Sequence, residues 1–219
     1  MAQKSLPRIP AGVIITGLGF LVLLVYLGAA TGLVRDVNKL LLILAFAIGP
    51  AAIVGVLSIS ERLARRVTSM RLKVGTVFLV IAFALLNLML VVQQTIFLQF
   101  RQFRQDVADE AARESLRLVF EGVNLVQLGI DASFDIFYCV GLILFAAVMY
   151  GHRDFGKFLG VFGILAAAAL LIANLAAFPY LPTESGLIDF GPVTGVWWLA
   201  VIVQIVRLNR RERSVASRV

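Results

Sequence analysis

The segment "QLGIDASFDIFYCVGLILFAAVMY", residues 127–150, decides the fold class. From Ile136 to Tyr150 it contains no charged residue, and a bilayer with a hydrocarbon core of about 30 Å needs about 20 apolar residues per helix. We therefore predict a membrane-spanning helix over about 128–150. Its first turns carry two carboxylates, Asp131 and Asp135, which is unusual in a segment that enters lipid.

The rest of the chain repeats this apolar pattern. Mean hydropathy is +0.94 and 15% of the 219 residues are charged, whereas a soluble domain carries about 25% charged residues. These values exclude an ordinary soluble domain. They predict an all-α, polytopic membrane protein in which residues 1–219 form a single transmembrane domain, a bundle of six transmembrane helices. The spans are expected at about 11–33, 38–60, 74–99, 128–150, 158–178 and 193–207.

The distribution of positive charge predicts the orientation. Most of the 20 Lys and Arg residues lie at the two termini and in the second and fourth connections, and short cytoplasmic segments carry an excess of these residues. Both termini are therefore expected in the cytoplasm. The net charge of +7 is then explained by topology and by contact with the lipid bilayer, and it does not indicate a nucleic-acid partner.

The connection over about 101–127 is polar but has helical character. It lacks proline and offers opposite charges at helical spacing, for example Glu110 with Arg113 and Arg117 with Glu121. We expect an extracytoplasmic helix that continues into the span at 128–150. Two interpretations stay open, a docking surface or lid and a solvated extension of a long helix.

A polar face enters the membrane along this span. Steps of three and four residues return to the same side of a helix, and they connect Asn124, Gln127, Asp131, Asp135 and Tyr138. Asp131 is expected near the outer interface, with Asp135 one turn deeper.

Other polar residues are expected at a similar depth. Gln93 and Gln94 lie near the outer end of the third span and Asn174 near the outer end of the fifth, so all three could face one cavity. Asn87, Gln94 and Arg101 share one face of the third span. Arg101 is the preferred counter-ion for Asp131. The pattern predicts either a pocket between spans three, four and five that binds a cation, a proton or a polar ligand, or polar contacts that hold the helices in register. The candidate binding residues are Asp131, Asp135, Asn124, Gln127, Gln94, Asn174 and Arg101.

Several other residues have predicted structural roles. Gly156 and Gly160 have the spacing that allows close helix approach. Trp197 and Trp198 are expected in an interfacial aromatic belt, and His152 in a solvated turn. With one histidine and one cysteine, Cys139, the chain cannot build a His/Cys metal site. No cofactor, metal or catalytic residue is predicted.

One arrangement of aspartates partly resembles an enzyme signature. Asp106 and Asp109, followed by Asp131 and Asp135, are similar to the paired aspartates of CDP-alcohol phosphotransferases, six-helix membrane enzymes whose aspartates bind divalent metals. Glu110 stands where that signature has glycine, and the later pair comes about five residues late. The predicted outer location also disagrees with the cytoplasmic active site of that family.

The last 80 or so residues resemble a second group of proteins. The segments "DIFYCVGLILFAAVMYGHRDFGKFLG", "NLAAFP" and "GLIDFGPVTGVWWLAVIVQ" look like the second half of six-helix bacterial membrane proteins without assigned function. The resemblance implies six helices in a bacterial cytoplasmic (inner) membrane, and it rests on no catalytic motif.

Three function classes follow from these observations. A non-enzymatic sensing, scaffold or accessory subunit with a polar pocket in the outer leaflet is favoured, because no catalytic motif is present. A small ion- or proton-coupled transporter or channel that uses Asp131 and Asp135 is the alternative, and a phosphotransferase-like lipid enzyme is the third. The expected partners are lipid, another membrane protein or further copies of the chain.

Overall fold

The computed structural model describes residues 39–106 and 109–217, without the side chains of 39–45, 97–102, 104–106, 213 and 216. Throughout these ranges the regular structure is helical, with no strand. The predicted first span at 11–33 and the two chain ends lie outside the described residues. The count of six helices and the orientation therefore stay predictions.

Five predicted spans coincide with five helices that are long and apolar enough to cross a membrane. They are α1 (Lys39–Ala64), α2 (Met70–Asp106), α3 (Glu110–Tyr150), α4 (Gly156–Ala177) and α5 (Gly191–Ala216). The all-helical, membrane-type fold is thus confirmed for this part of the chain.

The helices pack in chain order, α1 on α2, α2 on α3, α3 on α4 and α4 on α5. Glycines bring two of these pairs together. A Cβ at Gly49 of α1 would lie 2.5 Å from Cβ of Asn87 in α2, and one at Gly141 of α3 would lie 2.8 Å from Cγ of Leu79. These contacts show that neighbouring helices meet through their backbones, as small residues allow.

The helices α3 and α4 approach each other equally closely. A Cβ at Gly160 would lie 2.5 Å from Cα of Tyr150, and one at Gly163 would lie 2.7 Å from Cβ of Ala146. The packing prediction for Gly160 is confirmed. The prediction for Gly156 is wrong, because Gly156 has open space around it and a φ of +78° at the turn into α4, where its freedom at positive φ is required.

Trp197 and Trp198 do not form an interfacial belt. Both indoles are buried, and their rings pack edge to face. Trp197 Nε1 donates to the Leu159 carbonyl at 2.7 Å, and Trp198 Nε1 donates to Tyr138 Oη at 3.0 Å. A buried indole needs a partner for its N–H, and these two bonds attach α5 to α4 and α3.

The helix α3 extends well beyond its neighbour α4. Because Gly163 lies level with Ala146, Ala177 at the end of α4 lies level with Ala132, fourteen residues away in each helix (177 − 163 and 146 − 132). At 1.5 Å per residue, the part of α3 before Ala132 projects roughly 30 Å past α4. We call residues 97–106 of α2 and 110–127 of α3 the arm, and the end of the bundle that carries it the Asp131 end.

The helical prediction for the polar connection is confirmed from residue 110 onward. Asp109 caps α3, since its Oδ2 accepts from Ala112 N at 3.3 Å. Arg117 forms ion pairs with Glu114 and Glu121, and its hydrogen bond lowers the pKa of Glu114. These local contacts stabilise the part of α3 that extends beyond the end of α4.

Polar contacts close the opposite end of the bundle, which we call the His152 end. Arg62 of α1 donates to Asn209 Oδ1 and pairs with Glu212 at 2.9 Å, so α1 is tied to α5. Gln204 Nε2 donates to the carbonyl of Asp154, in the turn between α3 and α4.

His152 was expected in solvent, and this is wrong. The ring is 2% exposed and stacks edge to face on Phe155. Its Nδ1 accepts a hydrogen bond from Asp154 N at 3.1 Å, while Nε2 has no partner among the described residues. Burial, the largest cause, and the charges of Arg66 and Arg62 lower the pKa of His152, while Asp154 raises it.

We predict that Gly160→Ala destabilises the protein by about 1–3 kcal/mol, because the added methyl meets the Tyr150 backbone. Gly195→Ala is the matched control, since open space surrounds Gly195 in α5 and alanine favours a helix by about 1 kcal/mol over glycine. Thermal unfolding in detergent measures both. Equal changes in Tm would contradict the close contact of α3 and α4.

We also predict that stability falls below about pH 6.5, the usual pKa of histidine, partly through His152. Because its folded pKa is lowered, the unfolded chain binds the proton first, so this contribution is complete above pH 6.5 and is lost as the pH falls. Protonated Nδ1 can no longer accept from Asp154 N. His152→Asn keeps an acceptor without titrating, and its Tm should fall less between pH 7.5 and 5.5. Parallel pH profiles would refute this role.

Candidate binding pocket

A pocket of about 270 Å³ lies at the base of the arm. Its walls come from α2, from α3 and from the connection between α4 and α5. The polar lining residues are Gln93, Asn124, Gln127, Asp131 and Glu184, and the apolar ones are Ile96, Phe120, Leu128 and Leu181.

Helical spacing explains the contribution of α3. Phe120, Asn124, Gln127, Leu128 and Asp131 follow one another by one to four residues, so they occupy one side of the helix. This side of α3 also packs against α2. The polar face predicted for α3 therefore lies partly in the pocket and partly in the contact with α2.

The connection between α4 and α5 folds back to form the third wall. Its backbone is held by its own hydrogen bonds, from Glu184 N to the Leu181 carbonyl at 3.1 Å and from Leu187 N to the Pro182 carbonyl at 2.7 Å. Gly186 supplies the positive φ, +71°, that the turn requires. The Glu184 carboxylate accepts from Leu181 N at 3.4 Å, which keeps it beside the pocket.

Four predicted residues come together here, Gln93, Asn124, Gln127 and Asp131. Asp135 lies one turn deeper and is 8% exposed. It does not line the pocket. No hydrogen bond to the carboxylate of Asp131 or Asp135 comes from a described residue, and the side chain of the proposed counter-ion, Arg101, lies outside those described.

Two other predicted residues lie elsewhere. Asn87 lies against Gly49 of α1. Gln94 is not among the residues that line the pocket, whereas Gln93 is. Asn174 lies half-buried in the last turn of α4, where its carbonyl accepts from Phe178 N at 3.0 Å, and it is not part of the lining.

The negative charge extends beyond the lining. Asp189 accepts from Gly191 N at 2.7 Å at the start of α5, and it is near enough to Asp131 and Asp135 to repel both. Within the part of the chain that the structure describes, no Lys or Arg forms an ion pair with these three aspartates or with Glu184. The site is therefore suited to a cation.

Below the pocket, hydrogen bonds give way to an apolar core. Tyr138 Oη donates to Thr194 Oγ1 at 2.9 Å and accepts from Trp198 Nε1. Farther along α3, Leu142, Phe145 and Met149 are completely buried. In this conformation the polar face of α3 thus ends near Tyr138.

The described residues do not support a shared metal site. None of their His, Cys, Asp or Glu side chains form a group of three that could hold a metal ion. Asp109 and Asp131 are 22 residues apart on one continuous helix (131 − 109), which separates them by about 33 Å. The resemblance to paired phosphotransferase aspartates therefore does not extend to their geometry.

No protein-family model, curated protein or solved structure matches this chain. The function therefore has to be argued from the pocket itself.

We predict that Asp135→Leu stabilises the protein by about 1–3 kcal/mol, because it replaces a buried carboxyl without a described donor by an apolar side chain of similar shape. Asp131→Leu, at the pocket wall, is the control and should change Tm less. A clear loss of stability in Asp135→Leu would show that the carboxylate makes a contact on which the fold depends.

Proposed function

We propose that this protein is a non-enzymatic membrane receptor or accessory subunit that binds a small organic cation in the pocket at the Asp131 end. The observation that carries the proposal is the pairing of two carboxylates, Asp131 and Glu184, with three amides and an apolar wall in one cavity of about 270 Å³. Ligand pockets typically combine apolar walls with a few convergent polar groups.

The lining favours an amine that carries an alkyl or aryl group. A protonated amine supplies the positive charge that the carboxylates lack and several N–H donors for the amide oxygens of Gln93, Asn124 and Gln127. The ring of Phe120 and the side chains of Ile96 and Leu181 offer contact to the apolar part. A bare metal ion is less well matched, because it would leave this apolar surface unused.

The topology predicted from the sequence places this pocket on the outer side of a bacterial cytoplasmic membrane, so the ligand would arrive from outside. Sensing or accessory roles fit a site that is open at one end and closed below by a packed core. These assignments rest on the charge distribution and on the resemblance of the last 80 or so residues.

A small cation- or proton-coupled transporter is the second candidate. Asp135 favours it, since a buried carboxyl within a span often marks an ion pathway. The apolar core around Leu142, Phe145 and Met149 counts against it, because transport requires this core to open.

The test is ligand-induced stabilisation. A ligand that binds only the folded protein raises stability by RT ln(1 + [L]/Kd). We expect phenethylammonium to raise the Tm of the purified protein, and its uncharged analogue 2-phenylethanol to leave it unchanged. In Asp131→Asn the shift should disappear, and in Glu184→Gln it should shrink.

Asn174→Ala serves as the matched control, because Asn174 lies at the same end of the bundle and outside the pocket, and it should keep the full shift. Equal shifts with the charged and uncharged compounds, or an unchanged shift in Asp131→Asn, would contradict a cation site.

A further inference from the structure

We infer that two copies of this chain pair through α3. The contact is the face of its arm residues, 110–127, that points away from α2. This inference does not depend on the proposed ligand. It is carried by the exposure, spacing and height of the residues on that face.

The face is apolar and exposed. Leu118, Val119, Leu125 and Val126 are 57%, 63%, 66% and 61% exposed. Leu118 and Leu125 lie opposite the half-buried residues of the arm that point toward α2, namely 116, 120, 123 and 127, and Val119 and Val126 flank the leucines on one side. Leu118 and Leu125 are separated by seven residues, the repeat with which paired helices bury a common seam.

Small residues occupy the same face at the same interval. Ser115, Gly122 and Gly129 are seven residues apart and exposed. A Cβ added at Gly122 or Gly129 would meet no atom within 4 Å, so these glycines do not serve packing inside the described protomer. They leave a shallow groove between the leucines in which a second helix can approach closely.

The height of the face separates it from lipid. The end of α4 is level with Ala132, and the 22 residues of α4 correspond to about 33 Å, close to the thickness of the hydrocarbon core. Leu125 and Leu118 are 7 and 14 residues beyond that level (132 − 125 and 132 − 118), or about 10 and 21 Å. A contiguous apolar surface at this height is typical of a protein interface.

A second copy fits this face because the membrane fixes its orientation. Two copies in one membrane share the same direction and height, so a two-fold axis along the membrane normal brings the two α3 helices together in parallel and in register. Leu118 then meets Leu118, and Gly122 meets Gly122.

The charges permit this pairing. Glu114 and Glu121 border one edge of the face, whereas Val119 and Val126 border the other. In a parallel pair each edge meets the opposite edge of the neighbour, so the glutamates lie beside valines and not beside each other. Arg117 already pairs with both glutamates within the protomer, which removes the remaining repulsion.

Disulfide crosslinking in native membranes tests the contact. In a Cys139→Ala background, which removes the one native thiol, Leu118→Cys and Leu125→Cys should each form a covalent homodimer with copper phenanthroline as the oxidant. Asn124→Cys is the matched control, because it is adjacent to Leu125 but lies on the pocket side, and it should stay monomeric. Absence of crosslinking at both leucines, equal crosslinking at Asn124, or a crosslink to a different polypeptide would each overturn the proposal.

A second variant separates pairing from folding. Gly122→Leu meets no atom of its own protomer and increases helix propensity, so the monomer should keep its Tm. Native mass spectrometry after gentle extraction should show a dimer for the wild type and a monomer for Gly122→Leu, whereas Gly122→Ala should keep much of the dimer. A wild-type monomer, or a dimer that persists in Gly122→Leu, would overturn pairing at this face.

Discussion

The close contact of α3 with α4 is the constraint on which the rest of the structure depends. Gly160 on Tyr150 and Gly163 on Ala146 fix the height of one helix against the other, because these two small residues lie where the helices approach closely. Since α4 has 22 residues and α3 has 41, this register determines how far α3 extends past the bundle. It also places Asp131 beside the end of α4, where the chain turns back and completes the pocket.

Polar groups concentrate at the two ends of the bundle, and their hydrogen-bond and ion-pair partners differ between the ends. At the His152 end Arg62 donates to Asn209 and Glu212, while Arg62 Nε, Asn209 Nδ2 and His152 Nε2 have no hydrogen-bond partner among the described residues. At the Asp131 end the carboxylates have no cationic partner among the described residues, and Asp189 adds to their repulsion. Unpaired charge of one sign beside a cavity lowers stability unless a ligand compensates it, which is why we propose the ligand site at the Asp131 end.

Much of the fold could be predicted from the sequence, because apolar runs of about 20 residues have few alternatives in a membrane. The helix over 110–127 was also predictable, since Arg117 and its glutamates lie at helical spacing. The pocket was predictable along α3, where Asn124, Gln127 and Asp131 share one side of a single helix, and Gln93 was predictable from its depth near the outer end of α2. Glu184 was not, because its position depends on the fold of a connection, which local pattern does not encode. His152 and Trp197 were placed wrongly because burial at the end of a helix depends on which helix packs there.

The α3 part of the arm and the α3 wall of the pocket belong to one helix without a break between residues 110 and 150. Phe120 and Asn124 line the pocket from the same turns that present Leu118, Val119 and Leu125 to the other side. A rotation or tilt of this helix therefore moves both surfaces together. If the contact made by the arm favours one tilt, then occupation of the pocket must change the affinity of that contact by the same factor as the contact changes the affinity of the pocket, since coupling free energies are reciprocal. Because one continuous helix carries both surfaces, we expect the proposed pairing and the proposed ligand site to be coupled.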